Sequence, residues 1–151
     1  MEIINFKPRN TNGIIDFQEN HLINNVESKL ALSTSSVAII HIVCGTKTGL
    51  VYPSMPCIET LIMKYPERII VVVDACQLRC KLNYIQKYIN LGFIVLITGS
   101  KFYTGPPFSG AVLLPKILSL QIENHLKHNS TVMFSHLLNA NCILNNVTCF
   151  I

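Results

Sequence analysis

Three short runs of apolar residues, 37–43, 69–73 and 93–97, recur along the chain, broken only by His41, with gaps between them long enough to hold a helix. A strand with one wet face alternates polar and apolar residues, whereas a strand covered on both faces reads as a continuous apolar run. Each gap also carries helix punctuation. Positions 53–65 begin at Pro53 and stop before Pro66, and positions 82–91 are followed by Gly92, which suits the left-handed residue that closes a helix. Apolar strands alternating with helices predict an α/β fold, a three-layer α/β/α unit with helices on both faces of a parallel sheet.

The flanking segments follow from the same signals. Positions 110–114 form another apolar run, reached from 93–97 through Pro106 and Pro107 by a connection too short for a helical crossover, so that strand must run antiparallel. The expected sheet is therefore mainly parallel with one antiparallel strand. Upstream, 1–13 is polar and irregular, and Phe17, Leu22, Ile23, Val26 and Leu30 recur near the helical period. Downstream, 116–127 reads as an amphipathic helix through Ile117, Leu118, Leu120 and Ile122. Positions 128–151 contain no Asp, Glu, Lys or Arg and support no element assignment. The chain thus divides into an N-terminal irregular segment and helix (1–36), a core (37–115), and a C-terminal helix with an uncharged tail (116–151).

Composition narrows the function classes. A chain of 151 residues is one domain, able to bury roughly 70% of its unfolded surface. Only 13% of its residues are charged, against about 25% in average globular domains, so surface that would be covered in a longer protein is expected to be bare. No apolar run approaches the roughly 18 residues of a membrane span, and Glu2, Asn5, Lys7 and Arg9 rule out the apolar core of a signal peptide. A cytoplasmic, non-membrane protein is expected. The net charge of +4 is unclustered, which speaks against a nucleic-acid partner. Six cysteines lack any Cys-x-x-Cys or zinc-register histidine pair, so no metal is expected and the thiols read as reduced and mostly buried. No glycine-rich nucleotide-binding motif is present.

The chemistry lies at the ends of the apolar runs. Asp74 follows the second and Lys101 the third, and in open parallel sheets ligands sit just outside such strand ends. A carboxylate beside an amine meets the needs of pyridoxal phosphate: the amine holds the aldehyde as a Schiff base, and the acid keeps the ring nitrogen protonated. A lysine in a largely apolar pocket has its ammonium form disfavoured, which frees the neutral nucleophile.

Three ordered elements extend the pair: Thr46-Lys47-Thr48-Gly49 leading to Pro53, Asp74-x-x-Gln77, and Thr98-Gly99-Ser100-Lys101 followed by Gly105-Pro106. Over roughly residues 37–115 the chain resembles the class V, fold-type I pyridoxal phosphate enzymes, which include cysteine desulfurases and small-substrate aminotransferases. The resemblance implies the central part of their large domain, with Lys101 as Schiff-base lysine and catalytic proton shuttle and Asp74 against the pyridinium nitrogen. It further implies Gln77 and Thr48 near the phenolate oxygen, and Thr98 and Ser100 as phosphate contacts. Ser100 replaces the family's usual histidine, and Lys47 ranks below Lys101 because it lacks the Gly-Pro pair. The family's glycine-rich phosphate loop, its ring-stacking side chain and its substrate-binding arginine have no counterpart in the chain.

The expected function is thus part of a pyridoxal phosphate-dependent transferase or lyase acting on a small amino-acid substrate, completed by a homodimer or a complementing chain. The alternative is a truncated, non-catalytic remnant of such an enzyme. Among the remaining polar residues, His41 reads as a satisfied core histidine, and His125, His128 and His136 as helix-end or surface residues. Arg79 reads as a solvated helix-start residue ahead of an anion contact, and Cys76 as a small residue packed under its turn. Tyr103 stays open between packing and a polar contact.

Overall fold

A computed structural model describes residues 2–101, 104–107, 109–128, 141–144 and 147–150. The elements run α1 (Glu19–Ala31), β1 (Ala38–Cys44), β2 (Val51–Tyr52), α2 (Met55–Lys64), β3 (Ile69–Asp74), α3 (Leu82–Asn90), β4 (Ile94–Thr98), β5 (Gly110–Pro115), α4 (Lys116–His128), β6 (Asn141–Leu144) and β7 (Val147–Phe150). The three apolar runs are β1, β3 and β4, each within a residue of its expected bounds. α3 and the end of α2 fall where their punctuation places them, but α2 starts at Met55, two residues beyond the expected Pro53. Ser54 caps α2 by accepting from the Cys57 N–H, with Pro56 in the first turn. Past α3, Gly92 adopts φ 86° and its N–H donates to the Ile89 carbonyl at 2.9 Å.

The sheet is α/β but more mixed than expected. Its order is β2-β1-β3-β4-β5-β7-β6. β1, β3 and β4 are mutually parallel, and β5 is antiparallel to β4 as the short connection requires. Instead of a single antiparallel strand, however, there are also β2 against β1, β7 against β5 and β6 against β7. β2 arises because the chain folds back after β1 through Gly49, whose φ is 75°. β6 and β7 fall in the uncharged tail, where β-branched and aromatic residues favour extended chain.

One face of the sheet carries the core. Ile40, Ile42, Val71, Val73, Val95 and Leu113 point into a single cluster with Leu22 of α1, Ile58 and Leu61 of α2, and Ile85, Tyr88 and Ile89 of α3. The segment before residue 37 therefore shares this core. The opposite face of the parallel strands departs from the expectation that both faces are covered: Ile39 is 61% exposed, Ile70 41% and Val43 40%. His41 lies on that same face and is exposed, so it is not the core histidine its apolar neighbours suggest. A continuous apolar run signals that a strand can be covered twice; it does not supply the covering layer.

Two polar clamps hold the helices and the α1–β1 loop in place. The Glu19 carboxylate accepts from the Ser54 N–H at 2.6 Å and from the Ser54 hydroxyl at 2.8 Å, joining the start of α1 to the start of α2. Half-buried Arg68 donates to the carbonyls of Ser36 and Leu30, each at 2.8 Å, and also to Ser33. It thereby fixes the loop between α1 and β1. Charged hydrogen bonds of this kind contribute about 1.5–3 kcal/mol each when buried, and partial exposure reduces the sum. Replacing Arg68 with Ala is expected to cost about 2 kcal/mol, seen as a fall of roughly 4–8 °C in thermal midpoint by circular dichroism. An unchanged midpoint would show that the clamp contributes nothing.

Candidate functional site

The parallel register sets Val43, Asp74 and Leu96 abreast, so the turns leaving β1, β3 and β4 open on one side of the sheet. A cavity of about 60 Å³ lies there, lined by the end of β1 with Gly45 and Thr46, by Asp74 at the end of β3 with Cys76 and Gln77 beyond it, and by Lys101 after β4. Asp74 and Lys101, which the sequence pairs, therefore border the same space.

The turn after β3 is held from several directions. The Cys76 N–H donates to Asp74 Oδ1 at 2.9 Å, a local side-chain turn typical of Asp. The Thr98 hydroxyl donates to the Cys76 carbonyl at 2.8 Å. Ala75 N–H donates to the Leu96 carbonyl at 2.9 Å, and Leu78 N–H to the Ala75 carbonyl at 2.8 Å. Leu78 sits at φ 47°, a left-handed conformation uncommon for a bulky side chain. Strain of this kind persists where the surroundings over-determine the backbone, and it gathers at functional sites.

Electrostatics follow from the same contacts. Burial pushes the Asp74 carboxyl upward, but the hydrogen bonds from Cys76 together with the charges of His41 and Lys101 outweigh it and hold the group below its ordinary value of 3.8. Asp74 is therefore a carboxylate at neutral pH. The Cys76 thiol goes the other way, pushed up to about 11 by burial and then by Asp74, so it is a protonated neighbour of the acid. Gln77 presents a buried Oε1 with no hydrogen-bond partner. Buried polar atoms are nearly always paired, and an exception calls for a donor from elsewhere.

Of the sequence-derived residues, Asp74, Gln77 and Lys101 meet at the cavity; Thr48, Thr98 and Ser100 do not line it. Thr48 is exposed in the turn after β1, where its hydroxyl lies 3.2 Å from that of Thr46 and 3.4 Å from an Arg9 nitrogen. Thr46, two residues nearer the strand, takes the cavity position. Its signal in the sequence is its place directly after Gly45, which has φ 76°. Thr98 commits its proton to the Cys76 carbonyl, and Ser100 is exposed. Lys101 is itself exposed, so the apolar pocket expected around its amine is not built by the described residues. Lys47 is exposed and off the cavity, Arg79 is exposed, and Cys76 is half-buried and lines the cavity rather than only packing under its turn. Tyr103 and His136 lie outside the described residues.

The Gly105-Pro106 pair does have a structural reason. Gly105 N–H donates to the Gly99 carbonyl at 3.1 Å, and a Cβ there would stand 2.9 Å from that oxygen and 2.8 Å from Ser109 Oγ. Only glycine lets the loop close back on the end of β4 beside Lys101.

Comparison with protein-family models, curated proteins and solved structures gave no match. Among the described residues no cluster of three or more His, Cys, Asp or Glu is placed to hold a metal ion, and no helix is long and apolar enough to cross a membrane. The cavity can be set against the cofactor that the acid–amine pair suggests. Sites for small molecules of that size span about 300–1,000 Å³, whereas about 60 Å³ holds only a water or two. Asp74, Lys101 and Gln77 thus fit one corner of such a site, while the phosphate and ring-stacking positions are not formed by the described residues.

Asp74 also sets a pH dependence. Because its folded value lies below the ordinary 3.8, the unfolded chain takes up the proton first as pH falls. The stabilisation is full above that ordinary value and is lost as pH drops through the folded one. Urea midpoints of wild type and Asp74→Asn are expected to differ most near neutral pH and to converge in acid; a constant gap would contradict the assignment.

Proposed function

We propose that this chain is part of a pyridoxal phosphate-dependent enzyme of the class V aminotransferase type, acting on a small amino-acid substrate in the cytoplasm and completed by a second copy or a complementing chain. The observation that carries the reading is the shared cavity of Asp74 and Lys101 at adjacent parallel strand ends, with Asp74 held ionised. The cofactor, when bound, supplies an electron sink for carbanion chemistry. This chain's own residues supply the rest of the corner. Lys101 offers the amine for the aldehyde and the later carrier of the proton at the substrate's α-carbon. Asp74 offers the fixed negative charge that keeps a pyridine nitrogen protonated, and its hydrogen bonds from the turn orient it without neutralising it. Gln77 offers its amide N–H to the phenolate oxygen, and Thr46 replaces Thr48 as the hydroxyl at the rim.

A second reading, a non-catalytic remnant of such an enzyme, is favoured by the small cavity, by the committed hydroxyl of Thr98 and by the exposure of Lys101. The first reading predicts weak binding by the isolated chain, since an exposed amine and one acid support a Kd no better than about 1 mM, roughly −4 kcal/mol, and the remnant reading predicts none. Titration with pyridoxal phosphate, followed by the absorbance of the lysine-bound cofactor, is expected to give a saturable band that Lys101→Ala abolishes and Asp74→Asn weakens. A spectrum that stays that of free cofactor at millimolar concentration would leave the remnant reading alone.

A further inference from the structure

Cys44, the last residue of β1, is 4% exposed and belongs to the core. Cys80, in the loop ahead of α3, is half-buried against the same core. The two backbones abut: Gly45 is in the left-handed region at φ +76°, and a Cβ placed on it would lie 3.1 Å from the Cβ of Arg79 and 3.3 Å from the amide nitrogen of Cys80. Cys44 is the titratable neighbour that acts on the Cys80 thiol. On its other side the Cys44 sulfur lies 3.8 Å from the hydroxyl of Tyr88. Both cysteines are free thiols, and Cys44 is also part of the cavity wall.

We infer that Cys44 and Cys80 are a redox-modifiable pair, joined as an intrachain disulfide by exchange with a small-molecule disulfide, and that this bond tethers the 75–81 loop to the end of β1. The half-exposed sulfur reacts first. The Cys80 thiolate attacks one sulfur of the small disulfide, breaking its S–S bond and releasing one thiolate, to give a mixed disulfide on Cys80. The Cys44 thiolate then attacks the Cys80 sulfur and expels the second small thiolate. Two protein thiols are oxidised, one disulfide is reduced to two thiols, and the protons pass from the cysteines to the departing thiolates through solvent. Burial and the neighbouring Cys44 push the Cys80 thiol up to about 11, so the attacking form is scarce and the exchange is slow.

The consequence for the cavity is geometric. The tethered loop carries Cys76 and Gln77, and its opposite anchor is already pinned to β4 by the Thr98 hydroxyl. With the disulfide formed, the turns after β1, β3 and β4 are linked side by side. A disulfide across positions 44 and 80 also restricts the unfolded chain, which raises stability when native geometry accommodates the bond.

The test uses the full chain incubated with oxidised glutathione, quenched by acid, alkylated and mapped with trypsin, which cuts after Arg79 and so separates Cys76 from Cys80. The expected result is a cross-link between the peptides bearing Cys44 and Cys80 as the main intramolecular product. It should be accompanied by a thermal midpoint several degrees higher, with both effects absent in Cys80→Ser and retained in Cys57→Ser. Cys80→Ser changes only a half-exposed side chain, and its circular dichroism spectrum verifies that it folds. A stable glutathione adduct on Cys80 without the cross-link would overturn the inference. So would a cross-link pattern dominated by other cysteines, or one formed equally in urea.

Discussion

Pairing of β1 with β3 and of β3 with β4 in one parallel register is the constraint on which the rest depends. Because Val43, Asp74 and Leu96 stand abreast, three separate turns leave the sheet at the same level. Their polar residues are thereby brought together. A slip of one residue in either pairing would turn Asp74 toward the core face, where Val73 now sits fully buried. The acid's position is therefore decided by the aliphatic residues of the strands behind it: Val71 and Val73 prefer the core, and Asp74 is carried to the opposite face as their neighbour.

The same alternation explains the bare face. Ile40 and Ile42 of β1 bury fully or nearly so, which leaves Ile39, His41 and Val43 on the other side, where the described helices α1, α2 and α3 do not reach. His41 shares that face with Asp74 and is among the neighbours that lower the acid's pKa. The cavity is small because it lies at the margin between a covered face and an open one, with walls supplied by the last strand residues and the turns that follow them.

Much of this was legible in the residues. Apolar runs of strand length, the proline and glycine signals at 53–56, 66 and 92, and the short connection into β5 locate the elements and the antiparallel turn at β4 and β5. Asp74, Gln77 and Lys101 follow once the strand ends are known. What the sequence conceals is direction and company. Thr46 and Thr48 differ only in which side of a four-residue turn they occupy. Thr98 has the right place for an anion donor but spends its proton on the Cys76 carbonyl. Nothing in the sequence marks Arg68 as the residue on which three carbonyls converge. Cys44 and Cys80 are far apart in the chain and become neighbours only through the approach that Gly45 permits.

Chemical trapping measures the central claim, that the end of β4 holds an amine set apart by the acid beside it. Brief exposure of the folded chain to limiting pyridoxal phosphate, reduction with borohydride and mapping of the pyridoxyl adducts ranks the lysines by their reaction with the aldehyde. The account predicts several-fold preferential labelling of Lys101 over the comparably exposed Lys47 and Lys87, with the preference diminished in Asp74→Asn. Adducts spread evenly over the exposed lysines, unchanged by Asp74→Asn, would contradict it.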